Sequence, residues 1–250
     1  MEVYNREFAV EHKDDKSPLT EADLASHRVI VDRLQALTPD IPVMSEESAE
    51  EIPVERRLAW QRFWLVDPLD GTKEFIKRNG EFTVNIALVE GNHPVLGVVH
   101  VPATGVTYWG TMGVGAFRED AEGSQPIRVR APCETPLRVV GSRSHAGPHL
   151  EGYLTHLGEY EIVPKGSSLK LCLVAEGAAD CYPRFGPTSE WDTAAAQAVV
   201  ESAGGKVVNL DDRPLTCNEG ESVLNPYFLV YGDDRFDWFS AIPEEIRPAV

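Results

Sequence analysis

The chain has 250 residues, 42% of them hydrophobic and 25% charged, which suits a globular core and excludes wholesale disorder, collagen and coiled coil. Twenty-three Lys and Arg against forty Asp and Glu leave a formal net charge of −17, which repels nucleic acid backbones and anionic lipid. No apolar run approaches the ~20 residues that cross a bilayer, and the opening MEVYNREFAVEHKDDK has no basic region followed by an apolar one, so no integral membrane segment and a cytoplasmic location are expected.

Thr20-Glu-Ala-Asp23 has the form of a capping box. It precedes Leu24, Ile30, Leu34 and Leu37 at helical spacing, so a helix is predicted that ends before Thr38-Pro39. PVMSEES reads as a short strand running into acidic residues, and FWLV as a strand that stops at Asp67-Pro68, followed by a turn and a short helix from Gly71. From Phe82 the pattern is a meander: FTVNIALVE, a Gly91-Asn92 turn, PVLGVVHVP, VTYWGTMG and VGAFRED. Residues 120–136 read as a connection. Beyond it strands and helices alternate: LRVVGSR, a polar helix near 148–157, YEIVP, the helix SLKLCLVAEG, the strand ADCYPRF, an Ala-rich helix from Asp192 to Ala203 closed by Gly204-Gly205, and the buried strand YFLVYG.

The predicted organisation is an α+β lobe with an antiparallel sheet over residues 1–130 and an α/β lobe over 131–250. Cys133, Cys172, Cys181 and Cys217 form no C-x-x-C pair, so small buried thiols are expected rather than a zinc knuckle or disulfide framework. His145 and His149 are separated by Gly147 and Pro148 and read as loop residues.

The densest chemical signal is Trp64-Leu-Val-Asp67-Pro-Leu-Asp70-Gly-Thr72. Two carboxylates at the end of a strand, beside the backbone N–H groups of a helix start, suit a phosphate only if a cation offsets their charge. Oxygen donors without His or Cys point to Mg²⁺ rather than zinc. Glu46, at the end of the VMSEE strand, and Asp192, at the start of the Ala-rich helix, are further acidic candidates. Taken singly, Asp192 also reads as a plain N-cap, Asp23 as the far end of a capping box, and Asp67 with Asp70 as an Asx-Pro turn.

WLVDPLDGTKEF resembles the first signature of the inositol monophosphatase superfamily of Mg²⁺-dependent, lithium-sensitive phosphatases, and EWDTAAAQAV the second; MSEES and SPLTEAD match its acidic motifs in order. DGTKEFIKRNGEFTVNIALVEG, VVGSRSH and GSSLKLCLVAEGAADCYPRFGPTSEWDTAAAQ are most similar to its bisphosphate nucleotidase branch. The resemblance implies a layered α/β/α/β/α sandwich. It implies magnesium held by Glu46, Asp67, the Leu69 carbonyl, Asp70 and Asp192, phosphate received by Gly71 and Thr72, and water activated by Asp23 with Thr72. Ser142, His145, Ser168 and Lys170 lie where the branch contacts its nucleotide.

The activity implied is hydrolysis of the 3'-phosphate of 3'-phosphoadenosine 5'-phosphate, or of its phosphosulfate analogue, in sulfur assimilation. An inositol or sugar phosphatase of the same fold and an inactive metal- or nucleotide-binding module are the alternatives. Similarity to the branch also raises association with the inner face of the bacterial membrane, which the acidic charge opposes. Two departures stand out. Ala196 occupies a position that is usually Gly in the second signature, which implies a small repacking. The family's full first helix would precede Met1, which implies either a misassigned or shortened start or exposed apolar surface.

Overall fold

The computed structural model describes residues 1–12, 18–141 and 147–247. A short antiparallel pair, β1 (Val10–His12) and β2 (Pro18–Thr20), leads into helix α1 (Glu21–Leu37). The Thr20 N–H and hydroxyl donate to one oxygen of Asp23 at 2.8 and 2.7 Å, and the Ala22 N–H donates to the Thr20 hydroxyl at 3.1 Å. These bonds satisfy donors that a helix start otherwise leaves open.

The first sheet is built from β3 (Val43–Ser45), β4 (Arg62–Asp70), β5 (Thr83–Glu90), β6 (His93–Val101), β7 (Val106–Thr111), β8 (Gly115–Asp120) and β9 (Gly123–Ile127), in that spatial order. β3 runs parallel to β4, and every later pair is antiparallel. A 3₁₀ segment over Glu46–Glu51 and helix α2 (Val54–Leu58) join β3 to β4, and α3 (Thr72–Ile76) follows β4. Two sequence expectations are corrected here. The FWLV strand does not stop at Asp67-Pro68: β4 continues to Asp70 through a register shift that keeps the proline, which has no N–H, out of the regular ladder. Residues Gly123–Ile127, read as connection, form the edge strand β9, whose exposed, polar composition hides it from a periodicity search.

The second sheet has the order β11 (Tyr160–Pro164), β10 (Leu137–Gly141), β12 (Cys181–Arg184), β14 (Phe228–Tyr231), β13 (Lys206–Asn209). β10 is parallel to β11 and β12, and β14 is antiparallel to β12 and β13. Its helices are α4 (Pro148–Leu157), α5 (Leu169–Ala175) and α6 (Glu190–Ser202). The Ala-rich helix therefore starts two residues before Asp192. Ser189 is its N-cap and Asp192 its third residue, because the Asp192 carboxylate reaches back to the Ser189 N–H at 2.9 Å.

Side-chain alternation along the strands sorts the chain into layers. Trp64 and Val66 of β4 meet Leu34 of α1 on the outer face of the first sheet. Phe63 and Leu65 point the other way, into a core shared with Leu171 and Val174 of α5, Ala194 and Val199 of α6, and Tyr182, Phe228 and Val230 of the second sheet. Leu137, Val139 and Leu229 face outward onto Tyr153, Leu154 and Leu157 of α4 and onto Trp238. The result is the α/β/α/β/α sandwich, with α5 and α6 between the sheets. Each buried Val, Leu or Phe among these stabilises the fold by roughly 1.5–3 kcal/mol relative to exposure.

The central layer is thin where α6 crosses β6: a Cβ added to Gly97 would lie 1.9 Å from the Ala195 carbonyl oxygen. This approach explains the small residues of α6. Ala196 is 1% exposed in the central core, and the tight backbone contact falls one residue earlier, at Ala195, so the extra methyl is accommodated. On α1, Val29 and Leu37 stay 62% and 73% exposed. Cys172, Cys181 and Cys217 are buried, Cys133 is half-buried, and all four are free thiols. Among the described residues no helix is long and apolar enough to cross a membrane.

Candidate active site

In a regular strand, residues three apart face opposite sides of the sheet. Asp67 pairs with Asn85 and Asp70 with Thr83, so three steps along β4 match two along β5. The extra residue turns both carboxylates to one face. Asp192, at the start of α6, meets them there: Asp67, Asp70 and Asp192 each place an oxygen within 4.8 Å of the others.

The fold anchors one oxygen of each. Asp67 Oδ1 accepts the Leu69 N–H at 2.9 Å, and Asp192 Oδ2 accepts the Ser189 N–H at 2.9 Å. Asp70 Oδ2 receives the Ser168 N–H, with the Ser168 hydroxyl at 2.6 Å, Thr83 Oγ1 at 3.3 Å and Asn85 Nδ2 at 3.4 Å. The carboxylates thus keep their orientation despite mutual repulsion. Burial pushes Asp67 well above the usual carboxylate range, and the charges of Glu46, Asp70 and Asp192 push it further. Asp192 is pushed up to about 7, first by burial and then by Asp70. Hard oxygen donors, crowded and rigid, whose ionisation is opposed by burial and by one another, fit a divalent cation.

Glu46 opens the 3₁₀ segment after β3 and lies near enough for its charge to raise both Asp67 and Asp192. The Leu69 carbonyl is 3.4 Å from the Thr72 hydroxyl, which is also 3.4 Å from Asp23 Oδ1. Asp23 is 2% exposed, and burial raises its pKa against the lowering effect of its Thr20 bonds. Gly71 caps α3 at φ +89, a left-handed conformation that glycine adopts readily. A Cβ there would also stand 3.3 Å from the Glu81 carbonyl oxygen.

A cavity of about 720 Å³ opens from Asp70 and Asp192 and continues past Lys170, Tyr182 and Arg184. Lys170 Nζ stands 5.7 Å over the Tyr182 ring. Ser168, expected among nucleotide contacts, lines the same cavity and is 2% exposed. Its hydroxyl lies 2.6 Å from both Asp70 Oδ2 and the Asp192 carbonyl and accepts from Asn85 Nδ2 at 2.8 Å. It braces the Asp70 carboxylate against the first turn of α6. Ser142 and His145 lie outside the described residues.

Thr83 and Asn85 were missed in the sequence. Their signal is a phase error: they occupy the buried positions of β5 that further along hold Ala87 and Val89. Two polar side chains on an apolar phase mark a polar site beneath the sheet end.

The model of the inositol monophosphatase family matches residues 1–232. The chain belongs to the inositol monophosphatase family. Among curated members of that family, the 3'(2'),5'-bisphosphate nucleotidase CysQ of Escherichia coli (strain K12) is 53% identical over 232 residues, covering 92% of each chain. The enzyme of the same name from Haemophilus influenzae is 39% identical over 242 residues, 96% of this chain and 90% of that one. Among solved structures of the inositol monophosphatase family, CysQ from Bacteroides thetaiotaomicron is similar with a TM-score of 0.79 at 43% identity, covering 88% of this chain and 86% of that one. An IMPase from Thermotoga maritima has a TM-score of 0.72 at 27% identity, covering 92% and 84%.

Proposed function

We propose that the chain is a Mg²⁺-dependent 3'(2'),5'-bisphosphate nucleotidase. It hydrolyses the 3'-phosphate of 3'-phosphoadenosine 5'-phosphate to AMP and phosphate and accepts the phosphosulfate analogue, in the cytoplasm, as part of sulfur assimilation. The observation that carries the chemistry is the acidic cluster: three carboxylates from β4 and α6 within 4.8 Å, each with one oxygen anchored. The choice of substrate rests on the likeness to curated nucleotidases, 53% identical over 92% of the chain, where the IMPase from Thermotoga maritima is 27% identical.

Asp67, Asp70, Asp192, Glu46 and the Leu69 carbonyl would hold the magnesium. When bound, the metal supplies Lewis-acid stabilisation of phosphoryl charge and lowers the pKa of water. The chain's own residues do the rest. The Thr72 hydroxyl donates to Asp23 and accepts from the attacking water, which turns a water lone pair toward phosphorus. Burial raises Asp23 from the ordinary aspartate range toward that of a useful base. The Gly71 and Thr72 N–H groups receive phosphoryl oxygens, where charge grows as the bond to the 3'-oxygen breaks. The nucleoside then lies along the cavity wall, with Lys170 available to its second phosphate.

The test is phosphate release from 3'-phosphoadenosine 5'-phosphate and from inositol 1-phosphate, each with Mg²⁺, with EDTA and with added lithium. Turnover that requires magnesium, falls with lithium and favours the nucleotide is expected. Preference for inositol phosphate would overturn the substrate, and turnover in EDTA would overturn the metal chemistry.

A further inference from the structure

Asp192 belongs to the acidic cluster and Glu46 lies near enough for its charge to act on it; the two come from segments far apart in sequence, and a buried polar chain joins those segments. Arg57, in α2, is 3% exposed. Its guanidinium donates to Asn218 Oδ1 at 2.7 Å and to the Glu221 carbonyl, and its own carbonyl accepts from Asn218 Nδ2 at 2.6 Å. Asn218 is 2% exposed with φ +58, and its N–H is shared between the two oxygens of Glu190 at 2.9 and 3.0 Å. Glu190, 5% exposed, is the first residue of α6, and its own N–H donates to the Val223 carbonyl at 2.8 Å.

The same segment is gripped elsewhere. Asn92, in the β5–β6 turn, donates to the carbonyls of Cys217 and Asn218 at 2.7 and 3.0 Å. Asn225 donates to the Ser189 carbonyl at 2.9 Å and to Thr193 Oγ1 at 3.0 Å. Residues 217–225 are therefore a strap across the first turn of α6, and Arg57 fastens it to the segment that follows Glu46.

A buried cation and a buried carboxylate at the two ends of such a chain are costly compared with apolar side chains of equal volume. What directional bonds add is position. Asp192 is tied to the N–H of Ser189 in that same turn, whereas Asp67 and Asp70 are carried by β4, with Ser168 bridging Asp70 to the Asp192 carbonyl. A shift of the α6 start would move Asp192 against them.

We propose that Arg57, Asn218 and Glu190 are positioning residues that set the separation of Glu46 and Asp192, and through it the affinity of the acidic cluster for its divalent cation. The inference rests on reading the cluster as a metal centre. None of the three residues lines the cavity that opens from the cluster. Partners that orient metal ligands from outside commonly change affinity by about 10–100-fold.

The deciding variant is Asn218→Gly. Glycine adopts positive φ readily and keeps the N–H that serves Glu190, so the substitution removes only the two side-chain bonds between Asn218 and Arg57. Calorimetric titration of Mg²⁺ alone into the whole metal-free protein is expected to show affinity lowered about tenfold or more. Turnover at saturating Mg²⁺ is expected to stay within about twofold of wild type, because the change lies in metal half-saturation and not in the chemical step. Arg57→Lys, which keeps the charge but cannot form both bonds, is expected to act in the same direction, and it decides the matter if Asn218→Gly does not fold. A Mg²⁺ isotherm that superimposes on wild type, whatever the melting temperature, overturns the proposal alone. A wild-type chain that takes up no Mg²⁺ overturns the metal-centre reading and the proposal with it.

Discussion

Acidification should weaken metal binding by an amount set by the crowding of Asp67, Asp70 and Asp192. In the metal-free protein Asp192 is pushed up to about 7, so it is about nine-tenths protonated at pH 6 and about one-tenth at pH 8. Because the cation binds the ionised form, this group alone lowers apparent Mg²⁺ affinity about tenfold between those two values. Asp67, also raised well above the usual range, adds to the drop. Calorimetry at pH 6 in two buffers of different ionisation enthalpy reads the proton count directly. Release of about one proton or more per metal bound is predicted at pH 6, falling at pH 8. The same shifts carry a sign for stability. Between the unfolded value of 3.8 and about 7 the folded chain holds more protons at Asp192 than the unfolded chain does. Metal-free stability therefore falls as pH rises through that window, and Mg²⁺ restores it most at the upper end. Equal affinity at pH 6 and 8 with no proton release would refute the reasoning.

Asp70→Asn keeps shape but removes a charge from the cluster; a loss of several orders of magnitude in turnover with unchanged circular dichroism is expected, by analogy with removal of any group that acts as part of a unit. Thr72→Ala is expected to leave the Mg²⁺ isotherm nearly unchanged while slowing turnover by about 10²–10⁴-fold, the usual worth of positioned proton transfer. Loss of metal binding would disprove the water-orienting role. Gly97→Ala would place a methyl 1.9 Å from the Ala195 carbonyl oxygen. Overpacking of this kind costs about 1–3 kcal/mol or more, and thermal unfolding should drop by about 2–4 °C per kcal/mol in a chain of this size.

What could be read from the sequence is local. The Thr20–Asp23 capping box needs only a residue and its third neighbour, and Asp67-x-x-Asp70 announces itself by spacing alone. The five layers came through the resemblance, since periodicity locates strands without saying which sheet they join. Long-range pairing hid the rest. Only the two-for-three register between β5 and β4 shows that Asp67 and Asp70 share a face. A serine in a polar loop gives no sign of the carboxylate 98 positions away that Ser168 braces. Arg57 and Asn218 are 161 positions apart, and no local pattern in the sequence pairs them.

The most direct test follows the oxygen. Hydrolysis of 3'-phosphoadenosine 5'-phosphate in oxygen-18 water with Mg²⁺, followed by phosphorus NMR, identifies both the bond broken and the phosphate lost. The account predicts inorganic phosphate carrying one heavy oxygen and AMP whose 5'-phosphate is intact and unlabelled. Label in the nucleoside hydroxyl, or adenosine 3'-phosphate as the product, would contradict attack at the 3'-phosphorus from the Asp23–Thr72 side of the cluster.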